Sequence, residues 1–114
     1  TCFEIFLGHN NSPEYQEFNF SPSGDWNVYT FSGYRQGMRP DTAFKNLSLE
    51  ARTEGDQKLR LTADIDLDLL PDASNISAGL SAVLEHRNGV KSYWAVRHTG
   101  ERPDFHARDG WMQI

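Results

Sequence analysis

Apolar and polar residues alternate through the first third of the chain. Phe3, Ile5 and Leu7 alternate with Cys2, Glu4 and Phe6; Phe18 and Phe20 alternate with Glu17 and Asn19; Val28 and Thr30 alternate with Asn27, Tyr29 and Phe31. A period of two places successive side chains on opposite faces of a β-strand. The polar clusters at 10–13 and 21–24 predict turns closing antiparallel hairpins. Folding of that kind brings Glu4, Glu17, Asn19 and Asn27 together on one sheet face, ringed by Tyr15, Tyr29 and Phe31.

The rest of the chain continues in β fashion. Residues 32–46 hold glycines, a proline and cationic side chains without an apolar period, and predict a long loop. Residues 47–51 alternate, a turn follows at 53–56, and the cleanest strand comes next. In it Leu59, Leu61, Ala63, Ile65, Leu67 and Leu69 face one way, while Lys58, Arg60, Thr62, Asp64, Asp66 and Asp68 face the other. Residues 71–78 predict a polar connection and 80–86 a strand. Asn88-Gly89 then predicts a type I′ hairpin turn, because both residues tolerate positive φ, and 92–97 should pair back on 80–86. A second long loop spans 98–110, with a closing strand at 111–114; Trp26 and Trp94 share faces with apolar neighbours and are expected in the core. No segment has helical caps and period. The fold class expected is all-β: an antiparallel β-sandwich of jelly-roll or immunoglobulin-like type, with the two long loops at the sheet ends.

Composition narrows the partners. The 114 residues suit one domain, and a formal charge of 11 − 16 = −5 without blocks of like charge argues against nucleic acid or an anionic membrane surface. No apolar run approaches the ~20 residues of a membrane helix. The single cysteine, Cys2, excludes a disulfide framework and is compatible with the cytoplasm, although the compartment stays open. The chain opens directly in a strand, so upstream strands are expected to be missing. Exposed sheet edges then predict a homodimer.

The polar face is the leading candidate site. Sugars are held by hydrogen bonds from Asp, Glu, Asn and Arg and by stacking on aromatic rings. Glu4, Glu17, Asn19, Asn27, Tyr29 and Arg35 offer those groups, with Phe105 and His106 of the second loop as a wall. Arg35 and Arg39 have an alternative use as partners for the Asp64, Asp66 and Asp68 row. His98, Asp104, His106 and Asp109 have metal-ligand chemistry, but loop folding by Pro103 and Phe105, with His98 or His106 bonded to backbone, is the favoured reading, and no metal is assigned. Glycoside hydrolysis by Glu4 and Glu17 needs a fixed separation, about 5 or 6.5–9.5 Å, that spacing along separate strands does not set. No nucleophile elbow or phosphate-binding glycine loop occurs, so a non-catalytic module without cofactor is expected.

The stretches CFEIFLG, EYQEFNFSPSGDWNVYTFSGYRQGM, SYWAVRH and RPDFHARDGW resemble DOMON-like domains related to family 9 carbohydrate-binding modules, notably a bacterial branch. The resemblance covers nearly the whole chain and implies a β-sandwich that binds sugar or, in other members, haem. Sugar-binding members use a Glu from the first strand and an Asn from the next, between two tryptophans. Glu4 and Asn19 match those two positions, and Glu17 stands where members carry Arg. One tryptophan of the clamp falls upstream of Thr1, and the other has only Phe105, His106 or Trp111 as counterparts. Haem-binding members use Met and His; Met38 and four histidines are present, but no pair falls on the ligand positions. The resemblance implies a carbohydrate-binding module, with an interaction domain lacking a small ligand as the alternative and haem-bound electron transfer after it.

Overall fold

In the computed structural model, which describes residues 1–70 and 74–114, the alternating segments form an antiparallel all-β structure of two sheets. Strands β1 (Cys2–His9), β2 (Tyr15–Phe20), β3 (Trp26–Phe31) and the two-residue β4 (Arg39–Pro40) make a meander. Strands β5 (Ser48–Glu54) and β6 (Lys58–Asp64) form a separate hairpin. Strands β7 (Ile76–Glu85), β8 (Lys91–Ala95) and β9 (Met112–Gln113) complete the main sheet in the order β4-β3-β2-β1-β7-β8, with β9 also on β7. Strand β1 is therefore central, paired with β2 from Phe3↔Phe20 to Gly8↔Tyr15 and with β7 from Cys2↔Val83 to His9↔Ile76.

The two faces of the main sheet differ as the alternation requires. One face carries Phe3, Ile5, Leu7, Phe18, Phe20, Trp26 and Val28, which pack against Leu49, Leu61 and Ala63 of the small hairpin and against Phe44, Leu47 and Leu70. Trp26 takes its expected place there. Trp94 does not: it is 60% exposed, with its indole N–H donating to Ser92 Oγ at 2.9 Å. The hairpin is only two strands wide and covers β1–β3, leaving Leu80, Trp94 and Val96 of the β7–β8 side uncovered.

Several local expectations give way to turn chemistry. The strand expected through Leu69 stops at Asp64, and Leu67–Leu69 form a 3₁₀ turn. There the Asp66 carboxylate accepts the Asp68 N–H at 3.0 Å, a cap that ends the alternation. The Asn88-Gly89 turn is not type I′, because only Gly89 has positive φ, +82°. Instead the Gly89 N–H donates to His86 O at 2.9 Å and the His86 N–H to Val90 O at 2.8 Å, a type I turn closed by a glycine bulge. The same pair of bonds closes Ser21 to Asp25 around Gly24. Of the connection expected at 71–78, residues 71–73 lie outside the described residues, and β7 already begins at Ile76.

The loop 98–110 does not stand at a sheet end. It lies across the second face of the main sheet, where Phe6, Tyr15, Phe31 and Trp111 form a second cluster with Tyr29 and Phe105 against it. Gly8 and Gly79 leave the room: a Cβ at Gly79 would come within 2.5 Å of Trp111 Cδ1, and one at Gly8 within 2.8 Å of Trp111 Cζ3. The Trp111 indole N–H donates to Phe105 O at 3.0 Å. Arg108 donates to His9 O and Glu14 O, both at 2.9 Å, tying the loop to the β1–β2 turn.

Candidate functional site

The loop 98–110 divides the second face in two. Beneath it lie Phe6, Tyr15 and Phe31; beside it a shelf remains, built from Cys2 and Glu4 of β1, Glu17 and Asn19 of β2, Asn27 and Tyr29 of β3, and Ser81 of β7. Cross-strand register makes the shelf. Glu4 opposes Asn19 and Ser81, Asn19 opposes Asn27, and Glu17 opposes Tyr29. The four polar residues expected together are thus neighbours. Asn19 Nδ2 donates to Asn27 Oδ1 at 2.9 Å, and Ser81 Oγ donates to Glu4 Oε2 at 3.2 Å.

The expected aromatic ring is only partly available. Tyr15 and Phe31 stack on each other at 4.9 Å between centroids, and Tyr15 is 1% exposed under the loop. Hydrophobic burial of two adjacent aromatic rings explains this, and Tyr29 alone of the three borders the shelf. Tyr93, opposite Val83 on β8, shares the same sheet face and is exposed.

His106 forms the wall. Its ring packs edge-on to Phe6, Tyr15 and Phe31, and it bonds a side chain rather than the backbone expected of it: Tyr15 Oη lies 2.7 Å from His106 Nδ1. Tyr15 Oη also accepts the Arg35 N–H at 3.1 Å. The other ring nitrogen, His106 Nε2, faces Glu17 Oε1 at 3.9 Å, beyond hydrogen-bond reach. The Arg35 guanidinium pairs with Asp104 at 2.8 Å, and Arg39 lies 3.4 Å from Glu14, so neither serves the Asp64, Asp66 and Asp68 row. That row belongs to the small hairpin and the turn after it, whereas Arg35 lies on the loop after β3 and Arg39 opens β4. Tyr34 Oη also donates to Asp104. Phe105 packs under the loop near Tyr93 and His98. No group of three or more His, Cys, Asp or Glu that could hold a metal occurs among the described residues.

Electrostatics set Glu17 apart. It is 8% exposed, and among the described residues its carboxylate accepts no hydrogen bond. Burial, then the Glu4 charge, push it from an ordinary 4.5 to about 7, against a lowering pull from Arg35. Glu4 is also raised by burial, offset in part by the Ser81 bond. Burial and the Arg35 charge lower His106 to about 4, against Asp104. Near neutrality His106 is uncharged and Glu17 is poised between its two forms, so the 3.9 Å pair is not an ion pair.

A large depression lies elsewhere: an open groove of about 590 Å³ on the other side of His106, rimmed by residues 10–13, Tyr34 and Arg108. Most of its polar groups already have partners. Asn10 bonds Asn75, Ser77 and Gln113; Ser12 Oγ accepts from the Glu14 N–H; Arg108 holds two carbonyls; and Tyr34 holds Asp104. The shelf, by contrast, keeps unused acceptors. Sequence reasoning missed Ser81 and Tyr93 as neighbours of the site and the use of Asp104 to hold Arg35, because the β1–β7 pairing and the loop docking carry no local signal.

No family model matches the chain, and neither a curated protein nor a solved structure matches it. The fold and the site themselves define the class: an antiparallel β-sandwich with one face half covered by a docked loop and half left as a polar shelf.

Proposed function

We propose that the chain is a non-catalytic binding module for a small polyhydroxylated ligand of sugar type, held on the shelf of Glu4, Glu17, Asn19 and Asn27. One observation carries this reading: Glu17 is 8% exposed and its carboxylate accepts no hydrogen bond from a described residue, beside three further polar side chains on one open face. Its oxygens are not sealed from solvent, so they stay open to a hydrogen bond donated by a ligand hydroxyl. Tyr29, opposite Glu17, offers an aromatic ring beside the shelf for the apolar side of a sugar. The likeness of Glu4 and Asn19 to sugar-contacting positions in DOMON-like domains supports the same assignment.

Titration calorimetry with a panel of mono- and disaccharides tests it. Binding in the millimolar range or tighter is expected, with loss of at least tenfold on combining Glu4→Ala and Asn19→Ala, while circular dichroism and the thermal midpoint show a folded variant. Affinity retained by that double variant would place the ligand elsewhere.

A further inference from the structure

The shelf is rich in acceptors and short of positive charge. Glu17 accepts nothing, Glu4 accepts only from Ser81, and Asn19 and Asn27 use part of their capacity on each other. Two arginines that follow β3 are committed: Arg35 to Asp104, and Arg39 to Glu14. Other ion pairs, Arg52 with Glu50 and both Lys58 and Arg60 with Glu54, lie on the small hairpin. Among the described residues no cation forms an ion pair with Glu4, the His106 beside Glu17 is uncharged, and Arg35, whose charge reaches Glu17, is bonded to Asp104 instead. Two carboxylates on adjacent strands of one half-buried face repel when both are ionised, and each raises the cost of the other. A neutral sugar relieves the missing hydrogen bonds but not that repulsion. An ammonium does both, with three donors and one positive charge in a compact group.

Resting on the sugar-type reading above, we propose that the ligand carries a primary ammonium group, as an amino sugar does, seated between Glu17 and Glu4 with the ring hydroxyls on Asn19 and Asn27. Tyr29, directly opposite Glu17 on β3, flanks this position and favours a cation near its ring face. Selectivity comes from the same charges: an acetylated amine keeps the shape, loses the charge and leaves both carboxylates uncompensated.

The test uses three β-1,4-linked disaccharides alike except at C2, bearing an amine, a hydroxyl or an acetamide, together with 1,4-diaminobutane, all titrated calorimetrically at neutral pH. The amine is expected to bind at least tenfold tighter than either neutral analogue. On Glu17→Gln, and separately on Glu4→Gln, the ratio of amine to hydroxyl affinity measured on the same variant should fall towards one. The two variants keep side-chain volume, and either suffices if the other fails to fold. Equal affinities for the three disaccharides, or a preference for a neutral one, overturn the ammonium inference and leave the sugar module standing. Diaminobutane binding as tightly as the aminated disaccharide overturns the sugar reading and leaves the ammonium site. No binding by any of the four overturns both.

Discussion

At the scale of single residues, Glu17 and His106 are titrating groups displaced in opposite senses on one wall. Glu17 sits at about 7 rather than 4.5, so the native state binds more protons than the unfolded chain between those values, and stability falls as pH rises through about 7. His106 sits at about 4 rather than 6.5, so its contribution is present above 6.5 and lost as pH falls through about 4. Between about 4.5 and 6.5 the two slopes oppose and largely cancel. Glu4 and Arg35 act on Glu17, and Arg35 and Asp104 on His106, without changing those signs. Glu17→Gln should therefore match the parent near pH 4.5, be more stable at pH 8 by on the order of 2–3 kcal/mol, and lose stability steeply from pH 6.5 to 4. Urea unfolding at a series of pH values checks this; a variant no more stable than the parent at pH 8 would remove the case for a strained carboxylate. The face assignment of Glu17 was legible in the alternation. Its burial was not, because burial comes from a loop about 90 residues away in sequence.

At the scale of elements, the docked loop depends on a slot in the sheet rather than on its own structure. Gly79 and Gly8 occupy adjacent strands below the Trp111 indole, and both lack the atom that would fill its place. Gly79→Ala puts a methyl 2.5–2.6 Å from Trp111 Cδ1 and Nε1, so the indole must shift and its bond to Phe105 O must weaken. A cost of about 1–3 kcal/mol is expected, seen as a fall in thermal midpoint of roughly 4 °C or more and as faster proteolysis within 98–110. Gly100→Ala, whose nearest neighbour is 3.8 Å away, is the control expected to change little. An unchanged midpoint in Gly79→Ala would mean that the loop is not held by that indole. The elements themselves were largely readable: all three opening strands, the small hairpin, β7 with β8, and the closing β9 lie where alternation and turn residues put them. Alternation did not mark where a strand stops, so Leu67 and Leu69 looked like strand until the Asp66 cap intervened. Nor did a glycine-containing turn reveal which residue takes positive φ, since Asn88 and Gly89 both tolerate it and the bulge uses Gly89 alone.

At the scale of the whole molecule, the uneven sizes of the two sheets leave one side of the sandwich bare, and the missing cover predicts self-association. The two edges of the main sheet are not equivalent. Edge β4 is two residues long and contains Pro40, features that discourage further pairing, whereas β8 is five residues long without a proline. Next to the β8 edge, Leu80, Trp94 and Val96 are exposed on the face that the small hairpin does not reach. Antiparallel pairing of two β8 strands about Tyr93 would set Ser92 opposite Trp94 and Lys91 opposite Ala95 of a second copy, with no like charges opposed. The two indoles would then lie diagonally on the same apolar side and bury each other. Both sides of β1 are already paired, so the edge that matters is formed late in the sequence rather than at its opening strand. Light scattering coupled to gel filtration should show a dimer that dissociates on dilution. Trp94→Lys should give a monomer at every concentration while retaining its thermal midpoint within a few degrees, because an exposed side chain contributes little to the isolated fold. A parent protein that stays monomeric at the highest concentration would show that β8 is protected by its own twist and charge, and that the exposed Trp94 has no partner in a second copy.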